Sequence, residues 1–158
     1  MSEFSKEFVK DIANRTKQNL EVYNGEYDVT QLINSAVGLI MIPHQRYYAK
    51  IDNSFISATT LQKLRNSIEQ NTYPEDGSVI ELRDIVKHIR NGIAHSAIYF
   101  ESENSQLIRV KIEDHRKKYT YKNTTKPAAD FKIILNISEL RAFMIEFSDA
   151  IISNKLFK

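Results

Sequence analysis

A guanidinium, an amide and an imidazole lie close together near the middle of the chain, at Arg90, Asn91 and His95. Arginine presents a rigid fork of N–H donors that matches a phosphate group. Histidine is the side chain that can give or take a proton near neutral pH. These three residues are the predicted catalytic group, and the chemistry they suit is proton transfer beside a phosphate.

The residues that carry this group have the spacing of an amphipathic helix. Apolar side chains recur at intervals of three or four from Leu82 to Ile93. With Leu82 at zero and about 100° per residue, Arg90 falls at about 80°, Asn91 at about 180° and His95 at about 220°. We therefore expect His95 to project from the polar side at the end of the helix, outside the core.

A polar strip lies at similar helical angles and consists of Glu81, Asp84 and His88. We interpret it as solvated or dimer-facing, and the alternative is that one of these residues contacts and supports the His95 side chain. Gly92 interrupts this otherwise strong helix, and a helical glycine costs about 1 kcal/mol relative to alanine. Two explanations remain open for it: close approach by another backbone or a ligand, or fraying near the helix end.

One copy of this helix does not bring the predicted catalytic side chains together. Arg90 and His95 are separated by about 7.5 Å of helical rise and about 140° of rotation. Two copies packed about a twofold axis would place the same patch against itself. The sequence therefore predicts a homodimer, formed through this fourth helix, with paired Arg, Asn and His side chains lining a shared groove.

The rest of the chain predicts a mainly α-helical bundle that occupies residues 1–158 as a single domain. About five helices are expected, with a small antiparallel β insert at about residues 97–135, between the fourth helix and the last one. The predicted elements are helices over 2–23, 29–41 (ended by Pro43), 54–70, 78–95 (with a capping box from Ser78 and Glu81) and 138–151 (capped by Ser138), strands at 98–100, 108–112 and 131–135, and a turn at 101–105.

Composition and charge narrow the class of protein. The 158 residues contain no cysteine, which excludes a disulfide framework and thiolate metal sites. The N-terminus does not resemble a signal peptide and no apolar run is long enough to span a bilayer, so a cytoplasmic protein without membrane contact is expected. The four histidines are scattered, so no metal site and no cofactor are predicted.

Positive charge is concentrated after the predicted strands. Seven Lys or Arg and two acids lie between Arg109 and Lys126, whereas the net charge of the whole chain is +2. The basic residues Arg116, Lys117 and Lys118, together with Lys87 on the fourth helix, are predicted to bind RNA. A solvated basic hairpin is the alternative reading of the same residues.

The segment from Arg90 to His95 resembles the motif of HEPN proteins, which is an Arg, a polar residue, three further residues and a His. Supporting similarity to small stand-alone bacterial and plasmid-encoded HEPN proteins lies in 15–20, in 27–35 with Gly38, Leu39 and Pro43, and in the strand Ile98-Tyr99-Phe100. Ala97 stands where a subset of HEPN toxins has a tyrosine that a nucleotidyltransferase antitoxin modifies.

This resemblance implies a metal-independent endoribonuclease, often found in toxin–antitoxin or phage-defence systems. It implies that His95 is the acid or base for attack of an RNA 2′-OH on the adjacent phosphodiester, that Arg90 holds the phosphate, and that Asn91 orients one of them. RNA and an antitoxin or regulatory protein are the implied partners. Two alternatives stay open: a catalytically inactive HEPN module that binds RNA, a nucleotide or a protein, and a structural domain in which the Arg and His hold a helix end.

Overall fold

The structure, a computed structural model, describes residues 6–22, 28–72, 78–115, 129–153 and 155–157. The basic residues Arg116, Lys117 and Lys118 lie outside these ranges. Within them the chain forms five α-helices, which confirms the predicted number. They are α1 (Lys6–Val22), α2 (Asp28–Tyr47), α3 (Ala58–Asn66), α4 (Leu82–Ala94) and α5 (Ile137–Ile152). Within the described ranges, no helix is long and apolar enough to cross a membrane.

Four strands form one antiparallel sheet among the described residues. They are β1 (Ile68–Asn71), β2 (Ile98–Glu103), β3 (Gln106–Asp114) and β4 (Phe131–Asn136), in the spatial order β1-β4-β3-β2. The three strands after α4 confirm the predicted insert. The turn between β2 and β3 is shorter than predicted, because only Asn104 and Ser105 form it, both with positive φ.

The predicted position of the sheet, wholly between the fourth and last helices, is wrong in one respect. Residues 68 to 70, predicted as the end of the third helix, belong instead to strand β1 (Ile68–Asn71), which lies between α3 and α4. Helix α3 ends where the Ser67 N–H and hydroxyl both bond back to the Lys63 carbonyl. Ser67 then accepts the Ile134 N–H at 2.9 Å, and Ile68 pairs with Ile133. Strand β1 therefore covers an edge of β4 that would otherwise have unpaired backbone groups.

Helix α2 is longer than predicted, since it runs through Pro43 to Tyr47. A proline inside a helix removes one backbone hydrogen bond. Beyond it the helix is packed at its last residue, where the Tyr47 ring lies edge-on to Phe157 at 5.1 Å between ring centroids.

Helix α4 begins later than its predicted capping box. Its first residue is Leu82, and Glu81 occupies the N-cap position without a side-chain cap. The cap comes from elsewhere in the chain: the Asn53 side-chain oxygen accepts the Leu82 N–H at 2.9 Å. The preceding segment stays non-helical because Arg65 donates two hydrogen bonds, of 3.0 and 2.9 Å, to the Ile80 carbonyl.

Helix α5 is capped two residues earlier than predicted, by Asn136 rather than Ser138, and the Asn136 N–H bonds to Glu139 at 3.0 Å. This helix supplies Phe143 and Phe147 to the core. The core is closed by α1, α2 and α4 and by the inward positions of the sheet. Its largest fully buried side chains include Phe131, Phe143, Phe147, Leu32, Leu39, Ile40, Leu82 and Ile89.

Candidate active site at the end of the fourth helix

Helix α4 lies unusually close to strand β3 at Gly92. A Cβ placed on this glycine would lie 2.4 Å from Ile112 Cγ2 and 2.7 Å from the Glu113 carbonyl oxygen. No ordinary side chain fits at that separation. The close-approach explanation of Gly92 is therefore confirmed, with β3 as the neighbouring backbone. The fraying explanation is wrong, because the helix continues to Ala94.

The helix ends in a tight reversal that places His95 at the surface. His95 is the C-cap residue and its N–H bonds to the Asn91 carbonyl at 3.0 Å. Ser96 follows with φ 56°, and the Ala97 N–H bonds to the Gly92 carbonyl at 2.8 Å. This is the pattern of a helix stop with a left-handed residue after the cap. His95 is exposed, as the sequence predicted, and its imidazole is accessible to a substrate.

A chain of side-chain hydrogen bonds runs from Arg90 into the interior. Arg90 Nη1 donates to Asn91 Oδ1 at 3.0 Å, and Asn91 Nδ2 donates to Asp114 Oδ2 at 3.1 Å. The same carboxylate oxygen lies 2.7 Å from His88 Nδ1. We call these four residues, Arg90, Asn91, Asp114 and His88, the polar network. It brings two of the three predicted catalytic residues into direct contact.

His88 does not belong to a solvated strip. It is 3% exposed, and its ring stacks on Phe131 with centroids 4.5 Å apart and planes 9° from parallel. The sequence interpretation was wrong because β3 and β4 cover a side of α4 that helical periodicity alone assigns to solvent. Asp84, from the same predicted strip, is partly buried and accepts a 2.7 Å hydrogen bond from the Tyr48 hydroxyl.

Asp114 is the residue of this site that sequence reasoning missed. It comes from β3, 23 residues after Asn91, and it is 4% exposed. A signal was present: Val110 and Ile112 alternate inward on this strand, so position 114 also faces the core. An acid at an inward strand position needs a buried partner, and α4 provides two.

The electrostatics of Asp114 favour its charged form. Burial alone would raise the pKa of its carboxyl group. The hydrogen bonds from His88 and Asn91, together with the charges of His88 and His95, outweigh burial and hold that pKa below its ordinary value. The site therefore contains a buried carboxylate whose field reaches the exposed imidazole of His95.

A family model described as HEPN pEK499 p136 matches residues 1–156. The chain belongs to this HEPN family. None of the curated proteins or solved structures compared with it gives a significant match. Family membership confirms the assignment made from the segment 90–95 and covers almost the whole chain.

A further cation on α4 of this HEPN chain, Lys87, lies against an aromatic ring outside the polar network. The Lys87 ammonium lies 5.8 Å from the centre of the Tyr48 ring. Burial, and then the hydrogen bond to Asp84, raise the pKa of Tyr48 to about 12, so this ring remains a neutral phenol. Lys87, one of the residues predicted to bind RNA, is half-buried.

The Arg90 guanidinium is held at one end by Asn91, and it has a buried donor without a partner among the described residues. Its side chain is half-buried, and one terminal nitrogen bonds to Asn91. Its Nε is buried and has no hydrogen-bond partner among the described residues. Within the same ranges, no three His, Asp or Glu residues are grouped to hold a metal ion.

Proposed function

We propose that this HEPN chain is a metal-independent endoribonuclease that acts as a homodimer. The observation that carries the proposal is the end of α4, where an exposed imidazole at His95 follows a guanidinium at Arg90 that a neighbouring amide holds in place. An anion-binding fork and an exposed acid–base group are the two parts that phosphodiester transesterification requires.

The proposed reaction is attack of an RNA 2′-OH on the adjacent phosphorus atom. His95 removes the proton from the 2′-OH, or protonates the leaving 5′ oxygen, and its counterpart in a second protomer is free for the other step. Arg90 bonds the non-bridging phosphate oxygens, whose negative charge grows in the transition state. The products are a 2′,3′-cyclic phosphate and a 5′-OH. DNA lacks the 2′-OH and should not be cleaved.

A second copy of the chain is part of the proposal because one helix spaces its groups too widely. Arg90 lies in the last turns of α4, and His95 lies beyond its last residue. The end of this helix has an accessible surface, since Ala94 is exposed and Ile93 is only partly buried. Twofold packing of this surface would join the Arg and His groups of two protomers in one groove.

We also propose that RNA contacts Lys87 and the basic residues Arg116, Lys117 and Lys118. Their support is the local excess of positive charge in the sequence. Membership of a HEPN family supports, as part of the same proposal, a role as a toxin or phage-defence effector with an antitoxin or regulatory partner.

The test is cleavage of a structured RNA by purified protein in excess EDTA, with His95→Ala and Arg90→Ala variants. We expect cleavage by the wild type and a loss of at least about 100-fold in each variant. This is the lower end of the effect of a general acid–base group for His95 and of a charge-stabilising donor for Arg90. Arg83→Ala is the matched control, because Arg83 is an exposed cation on the same helix. Its ion pair within the described residues is with Glu81. Arg83→Ala removes one positive charge, as Arg90→Ala does, and this variant should retain cleavage activity.

Light scattering establishes whether each protein is dimeric. Cleavage that requires added Mg²⁺, or a strictly monomeric active protein, would contradict the proposal. Tight RNA binding by the wild type without cyclic-phosphate products would instead support the inactive-module alternative.

A further inference from the structure

We infer that Asp114 is a positioning residue, which sets the orientation of the Asn91 amide and through it the Arg90 guanidinium, while His88 holds Asp114. The inference rests on the proposed function for its effect on catalysis. Its structural part, a fixed Asn91 amide, stands on the geometry of the polar network alone.

The argument begins with the two ends of the Asn91 side chain. An ionised carboxylate accepts hydrogen bonds and has none to donate, so it selects the NH₂ end of an amide. Asn91 Nδ2 points to Asp114 Oδ2 at 3.1 Å, and Asn91 Oδ1 must then point away from it. That oxygen accepts from Arg90 Nη1 at 3.0 Å. Reversal of the amide would place NH₂ against the guanidinium and an oxygen against the carboxylate.

Asp114 is itself fixed on its other side. His88 Nδ1 lies 2.7 Å from the same oxygen, Oδ2, and the His88 ring stacks on Phe131. At Gly92, α4 also packs closely against the backbone of Glu113, the residue before Asp114. The acceptor that orients Asn91 therefore has little freedom to move.

A purely structural tie between α4 and β3 does not explain the choice of an acid at this position. Val110 and Ile112 occupy the preceding inward positions of β3, so this face accepts apolar side chains. Burial of a carboxylate is costly, and an apolar replacement of a buried ion pair is often neutral or stabilising. The acceptor at 114 serves two residues of α4, His88 and Asn91, and Asn91 is the one next to the proposed phosphate-binding arginine.

The experiment is a double-mutant cycle on RNA cleavage, with Asp114→Asn, Asn91→Ala and the double variant. We expect Asp114→Asn to lower kcat by roughly 10- to 100-fold, by analogy with the loss of residues that hydrogen-bond the ligands of metal sites. If Asp114 acts through Asn91, adding Asp114→Asn to the Asn91→Ala variant should lower kcat by less than about twofold further. Losses that multiply, or an unchanged kcat in Asp114→Asn, would overturn the inference.

Two further measurements separate positioning from loss of stability and from failure of the proposed function. Val110→Ala shortens a buried side chain of the same strand, outside the polar network, so it should lower the melting temperature while kcat is unchanged. A parallel fall in kcat there would overturn the positioning role.

Hydrogen exchange of the Asn91 side-chain amide, followed by NMR in the wild-type protein, needs neither a variant that folds nor an RNA substrate. Slow exchange is expected from the bond to a buried carboxylate, and fast exchange would overturn the inference. Slow exchange in a protein that does not cleave RNA would contradict the proposed function but would still support a fixed Asn91 amide.

Discussion

Replacement of Gly92 by alanine tests the contact that holds α4 against β3. The new Cβ would lie 2.4 Å from Ile112 Cγ2 and 2.7 Å from the Glu113 carbonyl oxygen, and the second of these atoms is backbone that cannot rotate away. Overpacking of this kind costs about 2–3 kcal/mol, and the better helix propensity of alanine returns about 1 kcal/mol. We expect a net loss of about 1–2 kcal/mol, which is a fall in melting temperature of about 2–8 °C for a chain of this size.

Gly38→Ala is the matched control, because Gly38 is also in a helix interior. Nothing among the described residues lies within 4 Å of a Cβ placed there. Alanine should therefore stabilise the protein by about 1 kcal/mol. Urea denaturation of the three proteins at one concentration, with thermal melts beside it, gives the comparison. Equal stability changes at the two glycines, or a Gly92→Ala variant as stable as wild type, would refute the proposed close contact.

Two further predictions concern the network and the helix start. Asp114 has a lowered pKa in the folded state, so its stabilising contribution is complete above the ordinary value of 3.8 and is lost as the pH falls through the folded value. The difference in free energy of unfolding between wild type and Asp114→Asn should therefore shrink below pH 3.8, and a constant difference would contradict this. Asn53→Ala removes the side chain that accepts the Leu82 N–H at 2.9 Å, and should cost about 1 kcal/mol in urea denaturation; an unchanged stability would show that this cap contributes nothing.

The sequence predicts α4 and its exposed histidine well because both depend on local periodicity. The apolar stripe from Leu82 onward determines which side of the helix is buried, and His95 follows at an angle outside that stripe. Gly92 also carries its own signal, since a glycine in a strong helix indicates a close neighbour.

The partners across the sheet could not be predicted in the same way. Periodicity places His88 on the polar side of α4, but it does not show that Asp114 and Phe131 cover that side. Ile68 continues the apolar spacing of the third helix. The segment that begins at Ile68 is nevertheless a strand, because it pairs with the backbone of β4. In both cases a contact between residues distant in sequence overrides a correct local pattern.

The central claim is that His95 and Arg90 promote attack of an RNA 2′-OH without a metal. The most direct measurement uses one RNA oligonucleotide in two forms, in EDTA, with a single 2′-deoxy substitution at the mapped cleavage site in the second form. The claim predicts a 2′,3′-cyclic phosphate end from the first form and an uncut second form. Cleavage of the deoxy-substituted strand at the same bond, or products that end in a 3′-OH, would contradict it.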